Sequence, residues 1–142
     1  MNTTDKLTEV LKQIERADQL KEYVDELDGN LPYGSFAEYY DSIDGVKETG
    51  KAELIRRSNL DRTYGYQILN GTRQPGRDKI LLLCIAAGMT LDEVQRGLKI
   101  AGESILYSRK KRDAIITFAI NEHLTVSDTQ ELLIQFQEDI LE

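Results

Sequence analysis

The sequence predicts an all-α protein, on three observations. Apolar residues recur at three- and four-residue spacings along most of the chain, strand-like alternation is scarce, and the only two prolines, Pro32 and Pro75, fall in turn-rich stretches. At 142 residues the chain suits one domain, or one domain with helical extensions, large enough to bury a core without disulfides or metals.

Residues 4–27 set Leu7, Val10, Leu11, Ile14, Leu20, Val24 and Leu27 along one stripe, which predicts an amphipathic helix. Asp28-Gly-Asn-Leu-Pro-Tyr-Gly then breaks it, so residues 1–34 read as an N-terminal helix and linker. Ser35-Phe-Ala-Glu38 has the spacing of a capping box. Phe36, Tyr39, Tyr40 and Ile43 form the apolar face of the helix it starts, and Gly45 and Gly50 close that segment. Two short helices follow at about 51–58 and 62–70, separated by Asn59-Leu60-Asp61. Asn70-Gly71 ends the second, because glycine takes the left-handed conformation at little cost. Pro75-Gly-Arg-Asp opens an apolar helix that stops at Gly88, and Thr90-Leu-Asp-Glu93 is a second capping box whose helix runs to about Ala101-Gly102. Beyond a loop around Ser104–Tyr107, two more helices are expected at about 109–122 and 126–140.

The last four of these helices contain an internal repeat. Arg77-Asp-Lys-Ile-Leu-Leu-Leu-Cys-Ile aligns without gaps on Arg112-Asp-Ala-Ile-Ile-Thr-Phe-Ala-Ile, Met89–Gln95 aligns on Leu124–Gln130, and Leu98 on Leu133. The offset is 35 throughout, with seven identities over 24 positions, so a helical hairpin occurs twice. Two such hairpins can stack and bury a shared face, as helical repeats do. This places a division between residues 35–102 and a C-terminal hairpin, 103–142, that repeats 77–100 and serves assembly or regulation.

The formal net charge of −7 argues against nucleic acid until its distribution is considered. Residues 1–50 hold 5 Lys/Arg against 12 Asp/Glu, residues 51–112 hold 13 against 6, and residues 113–142 hold none against 7. A basic block of +7 between two acidic segments of −7 each is the electrostatic footprint of a phosphate binder.

That block coincides with a motif. The segment from Ala52 to Pro75 resembles the helix-turn-helix of the Cro/C1 (Xre) family of transcriptional regulators. Leu54 and Leu60 fall at the family's apolar positions in the first helix and the turn, and Ile68 matches the apolar anchor of the recognition helix. Asn70-Gly-Thr-Arg-Gln-Pro matches the family's terminating pattern of Gly, basic residue and Pro. The resemblance covers about residues 35–100, with Phe36–Val46 as first helix and Ile80–Ala87 as fourth. It implies a five-helix Cro/C1-like helix-turn-helix domain, here carrying the N-terminal amphipathic helix and the C-terminal hairpin as additions. Two positions depart from the family pattern: Ile55 replaces a small Ala, and Gly65 replaces a β-branched residue in the recognition helix. If these positions touch, as that fold implies, the two changes offset each other in volume. Asn59 stands at the turn's usual Gly and tolerates a left-handed backbone.

At about 100° per residue, Arg62, Thr63, Tyr66, Gln67 and Asn70 share an arc of about 140°, with Tyr64, Gly65 and Ile68 opposite. That arc is rich in base-reading chemistry: Arg forks to guanine, Gln pairs adenine, and Thr or Tyr meets the thymine methyl. The family's base contacts come from the N-terminal part of this helix, which carries over to Arg62, Thr63 and Gln67, with Tyr66 between them. Phosphate contacts would fall to Lys51, Asn70, Arg73 and Arg77, helped by backbone N–H groups at helix starts. Arg56 and Arg57 are weaker candidates because Glu53 lies three residues before Arg56. A second basic run, Arg109-Lys-Lys-Arg112, either reaches flanking phosphate or caps a helix start.

The implied function is a sequence-specific double-stranded DNA-binding transcriptional regulator, by the family's habit a repressor, acting as a homodimer because one such unit buries little surface on DNA. The stripe over residues 7–27 and the acidic repeat over 112–140 are the candidate dimer or partner surfaces. The competing expectation is a protein–protein adaptor, or an anti-repressor-like module, that retains the fold without binding DNA; the overall acidity favours it. No catalytic residues, cofactor or metal site are expected. His123 is the sole histidine and falls at a hairpin turn, Cys84 is the sole cysteine and lies in an apolar run, and no phosphate-cradling glycine loop is present. The absence of a membrane-length apolar run and of a signal-peptide pattern leads to a cytoplasmic expectation.

Overall fold

Local capping signals set most of the helix boundaries in the computed structural model, which describes residues 34–142. The amphipathic segment 4–27 and the linker through position 33 lie outside the described residues. Helix α1 (Phe36–Asp41) starts where Ser35 Oγ accepts the Glu38 N–H at 3.2 Å. The return bond expected of a capping box is displaced by one residue, since the Glu38 carboxylate accepts from Gly34 N–H at 3.0 Å. The segment expected to be one helix breaks at Ser42 and Ile43. α2 (Asp44–Thr49) then runs through Gly45 and ends at Gly50, which sits at φ 87°. α3 (Lys51–Ser58) and α4 (Arg62–Leu69) follow. α5 (Arg77–Ala86) stops at Gly88, φ 66°, and α6 (Leu91–Ile100) opens with the complete Thr90/Glu93 capping box. α7 (Lys111–Asn121) and α8 (Val126–Gln135) complete an all-helical set of eight among the described residues.

The repeat seen in the sequence is also a repeat in space. α5 and α6 begin and end 35 residues before α8's and, within a residue, α7's boundaries, and the left-handed residues recur at the same offset, Gly88 with His123 and Gly102 with Gln137. The two hairpins interlock through reciprocal ion pairs. Arg77 donates to both oxygens of Asp113 (3.2 and 3.0 Å), and Arg112 donates to both oxygens of Asp78 (3.2 and 2.9 Å). Each guanidinium also reaches the carbonyls of its own hairpin's closing segment, Ser104 and Ile105 for Arg77, Asp139 and Ile140 for Arg112. Each carboxylate accepts a backbone N–H from the other hairpin, Tyr107 on Asp113 and Glu142 on Asp78. Gln95 holds the backbone of Leu106 with two bonds, and Gln130 holds Leu141 in the same way. Those bonds press Leu106 and Leu141 into the core.

This closing arm explains why α8 ends at Gln135 rather than near 140. Gln137 turns left-handed, and the chain runs back extended so that Leu141 can occupy the site matching Leu106. The two hairpins share one core with α1, α3 and α4, and the described residues 34–142 form one compact unit. The expected boundary at 102/103 is therefore the junction between two repeats rather than an edge between two bodies.

α5 sits at the centre of that core. Ile80 to Ala86 are all buried, and Tyr40 donates its phenolic hydrogen to the Leu83 carbonyl at 2.7 Å. Burial pushes the Tyr40 phenol well above its ordinary range, so it stays protonated and keeps that donor. Burial likewise raises the Cys84 thiol, which packs as a small apolar group.

Candidate nucleic-acid interface

The geometry of α3 and α4 is set by three local devices. Asn59 ends α3 in the left-handed conformation (φ 58°, ψ 31°), with Leu60 N–H donating back to the Ile55 carbonyl. Asp61 then caps α4 by accepting the Tyr64 N–H at 3.0 Å. The third device is the close approach of the two helices at Gly65. A Cβ placed there would meet Ile55 Cγ1 at 2.8 Å and Cγ2 at 2.9 Å, so the large residue on α3 fills the space that the glycine leaves on α4.

This packing sorts α4 into two faces. Gly65, Ile68 and Leu69 are buried, while Arg62, Thr63, Gln67 and Asn70 are exposed. Tyr66 is half-buried with Arg62 5.8 Å from its ring centroid, an i,i+4 cation–π pair that leans the guanidinium along the helix. Lys51, at the start of α3, donates to the Asn70 side-chain oxygen at 3.2 Å and so joins the beginning of one helix to the end of the next. After α4, the N–H groups of Thr72 and Arg73 both donate to the Gln67 carbonyl, which folds the loop against the helix end. The Arg73 guanidinium lies 4.9 Å from the Tyr64 ring centroid, and Lys79 lies 5.7 Å from the same ring.

The expected base-reading set therefore stands together on one face, with Tyr66 set deeper than its neighbours. Of the expected phosphate set, Lys51 and Asn70 meet at the end of α4, and Arg73 is exposed over the ring of Tyr64. Arg77 does not belong with them. Its side chain is 20 % exposed, its guanidinium is held by Asp113 and two carbonyls, and the partner carboxylate is 5 % exposed. Those donors already serve the pairing of the hairpins. Lys79 was missed by sequence reasoning, although it lies inside the basic block. Its relevance comes from the Tyr64 ring, 15 positions earlier, which it shares with Arg73.

The other basic residues divide similarly. Arg56 and Arg57 both bond the Glu53 carboxylate, and their hydrogen bonds pull that acid down to about 2. In the second basic run, Arg112 pairs with Asp78, Lys111 donates to the Phe136 carbonyl, and Lys110 lies over the Tyr107 ring. Lys111 and Arg112 thereby help to close the second hairpin, while Arg109, Lys110 and Lys111 are exposed. His123 occupies a left-handed turn position and is exposed. Among the described residues, no group of three or more His, Cys, Asp or Glu side chains is placed to hold a metal ion, and no helix is long and apolar enough to cross a membrane. Comparison of the chain with family models, curated proteins and solved structures gives no match.

Proposed function

We propose that the protein is a sequence-specific double-stranded DNA-binding transcriptional regulator of the Cro/C1 type, with α4 lying in the major groove. One observation carries the proposal: Arg62, Thr63 and Gln67 form an exposed row on a helix packed against α3, with Lys51 bonded to Asn70 at that helix's end and Arg73 and Lys79 gathered over the Tyr64 ring. Arg and Gln are the side chains that recognise guanine and adenine by paired hydrogen bonds, and cations beside them neutralise phosphate. Two copies on half-sites about one helical turn apart supply the surface that a single unit lacks.

A fluorescence-anisotropy titration with mixed duplex DNA tests this. With about three phosphates neutralised per chain, about six per dimer, the dimer's affinity falls about 2,000-fold between 50 and 200 mM salt. Arg62→Ala and Gln67→Ala each relax preference at one base position, by about 1–3 kcal/mol per lost bidentate contact. Absence of binding at low salt ends the proposal in favour of the adaptor function that the acidic flanks favour.

A further inference from the structure

The two hairpins repeat one another in helix boundaries and closing contacts, yet among the described residues only the first has its outer groove covered. In the first, α1 lies across α5 and α6. A Cβ added at Gly97 would meet the Phe36 ring at 3.3 Å and the Tyr39 ring at 3.4 Å, and Tyr40 bonds to the Leu83 carbonyl. Moving 35 residues on from Lys79, Ile80, Leu83, Gly97, Ile100 and Ala101 gives Ala114, Ile115, Phe118, Leu132, Gln135 and Phe136. Those six line an open groove of about 400 Å³ between α7 and α8. Leu83 is fully buried, whereas its counterpart Phe118 is 54 % exposed, and Phe136 beside it is 46 % exposed. α7 is apolar on nearly all sides, a pattern found in helices covered on nearly all sides, as α5 is. Exposed apolar surface gathered in one groove marks an interaction site.

Charge indicates what fits there. α1, the helix that fills the first groove, carries Glu38 and Asp41 and no basic residue, and Tyr39 borders a surface depression lined by Asp92, Glu93 and Arg96. The counterparts of Asp92, Glu93 and Arg96 are Ser127, Asp128 and Glu131, so the one cation on that edge is replaced by an acid. Helical spacing extends the open groove to Glu122, four residues after Phe118, and to Asp128 and Glu131, four before Leu132 and Gln135; all three are exposed. Residues 113–142 contain seven acids and no Lys or Arg. Lys111, at the other end, already donates to the Phe136 carbonyl and neighbours Glu138. A second copy of this acidic segment meets like charge; a basic helix meets opposite charge. Leu132 in place of Gly97 also fills the space that α1's aromatic rings use, so the occupant is not another α1.

We propose that the groove between α7 and α8 docks a basic amphipathic helix of a partner protein, with large apolar residues at i, i+3 and i+4, an aliphatic one opposite Leu132, and Lys or Arg along its flank. This inference stands independently of whether α4 meets DNA.

The test uses the full chain and a labelled, alanine-based helical peptide carrying Phe, Leu and Leu at i, i+3 and i+4 with flanking lysines. Saturable one-to-one binding is expected, with amide shifts on the chain confined to the α7–α8 groove. Phe118→Ser weakens binding about tenfold, as loss of a central aromatic anchor does. The same peptide with glutamates for lysines also binds about tenfold less tightly. Because that second comparison leaves the protein unaltered, it does not depend on how Phe118→Ser folds. No saturation, shifts mapping elsewhere, or equal binding of both peptides overturns the proposal. So does a dimer of the free chain that Phe118→Ser dissociates, which would assign the groove to a second copy.

Discussion

Replacing Gly65 by Ala introduces one methyl at the tightest approach between α3 and α4. Its Cβ would lie 2.8, 2.9 and 3.1 Å from three carbons of Ile55, the first two closer than real Cβ atoms approach a neighbour. Ile55 is 3 % exposed and β-branched, so it has few rotamers with which to yield. Overpacking of this kind costs about 2–3 kcal/mol, and removing glycine from a helix interior returns about 1 kcal/mol. Gly65→Ala is therefore expected to destabilise by about 1–2 kcal/mol, against the direction that helix propensity alone gives. Ile55→Ala opens a cavity at a cost of about 3 kcal/mol. In the double variant the overlap vanishes, the propensity gain remains, and the new methyl occupies part of the cavity. Its destabilisation should fall about 2 kcal/mol short of the sum of the single changes, a coupling within the range seen for touching residues. Urea denaturation followed by circular dichroism, with the midpoint read at unchanged slope, measures all three variants. Additivity within about 0.5 kcal/mol would refute the argument that the two residues exchange volume.

Three further outcomes follow from the paired hairpins and the candidate interface. Arg77→Ala leaves Asp113 buried without its partner and should lower stability by about 3 kcal/mol, again by urea midpoint, while the salt slope of DNA binding stays at the wild-type value. Arg73→Ala should do the reverse, leaving stability near wild type and reducing the dimer's slope by about 1.8, about 0.9 for each chain; equal slopes for both variants would remove Arg73 from the interface. Burial works to raise the Asp78 carboxyl, but its hydrogen bonds from Arg112 and Glu142, with the charges of Arg112 and Arg77, outweigh burial and hold it below the usual carboxylate range. Its contribution to stability is present above the unfolded-state value, about 4, and is lost as pH falls through the lower folded-state value. Melting temperatures from pH 7 to pH 3 should drop less steeply for Asp78→Asn than for the parent, from a lower start.

Much of the fold was legible because the relevant signals act over four residues or fewer. Ser35, Asp61, Thr90 and Thr125 cap helices through backbone N–H groups three positions on, and Asn59 and Gly88 end them through their own backbone freedom. The exposed arc of α4 follows from helical period once its buried face is known. The misjudged points have longer reach. The helix starting at Phe36 breaks at Ser42, and the final helix stops early because Gln130 draws the backbone of Leu141 inward from 11 positions away.

The sequence by itself determined the helical class, the order of the helices from Lys51 onward, the 35-residue repeat and the grouping of Arg62, Thr63 and Gln67 on one face. Tertiary structure decided which cations remain available. Arg73 and Arg77 are both arginines of the same basic block, four positions apart, yet one is exposed over a half-buried ring and the other is enclosed by a carboxylate 36 residues away. Helical period assigns a side chain to a face, but its partner is chosen by whatever distant segment packs there. In this chain, that segment is the second copy of its own hairpin.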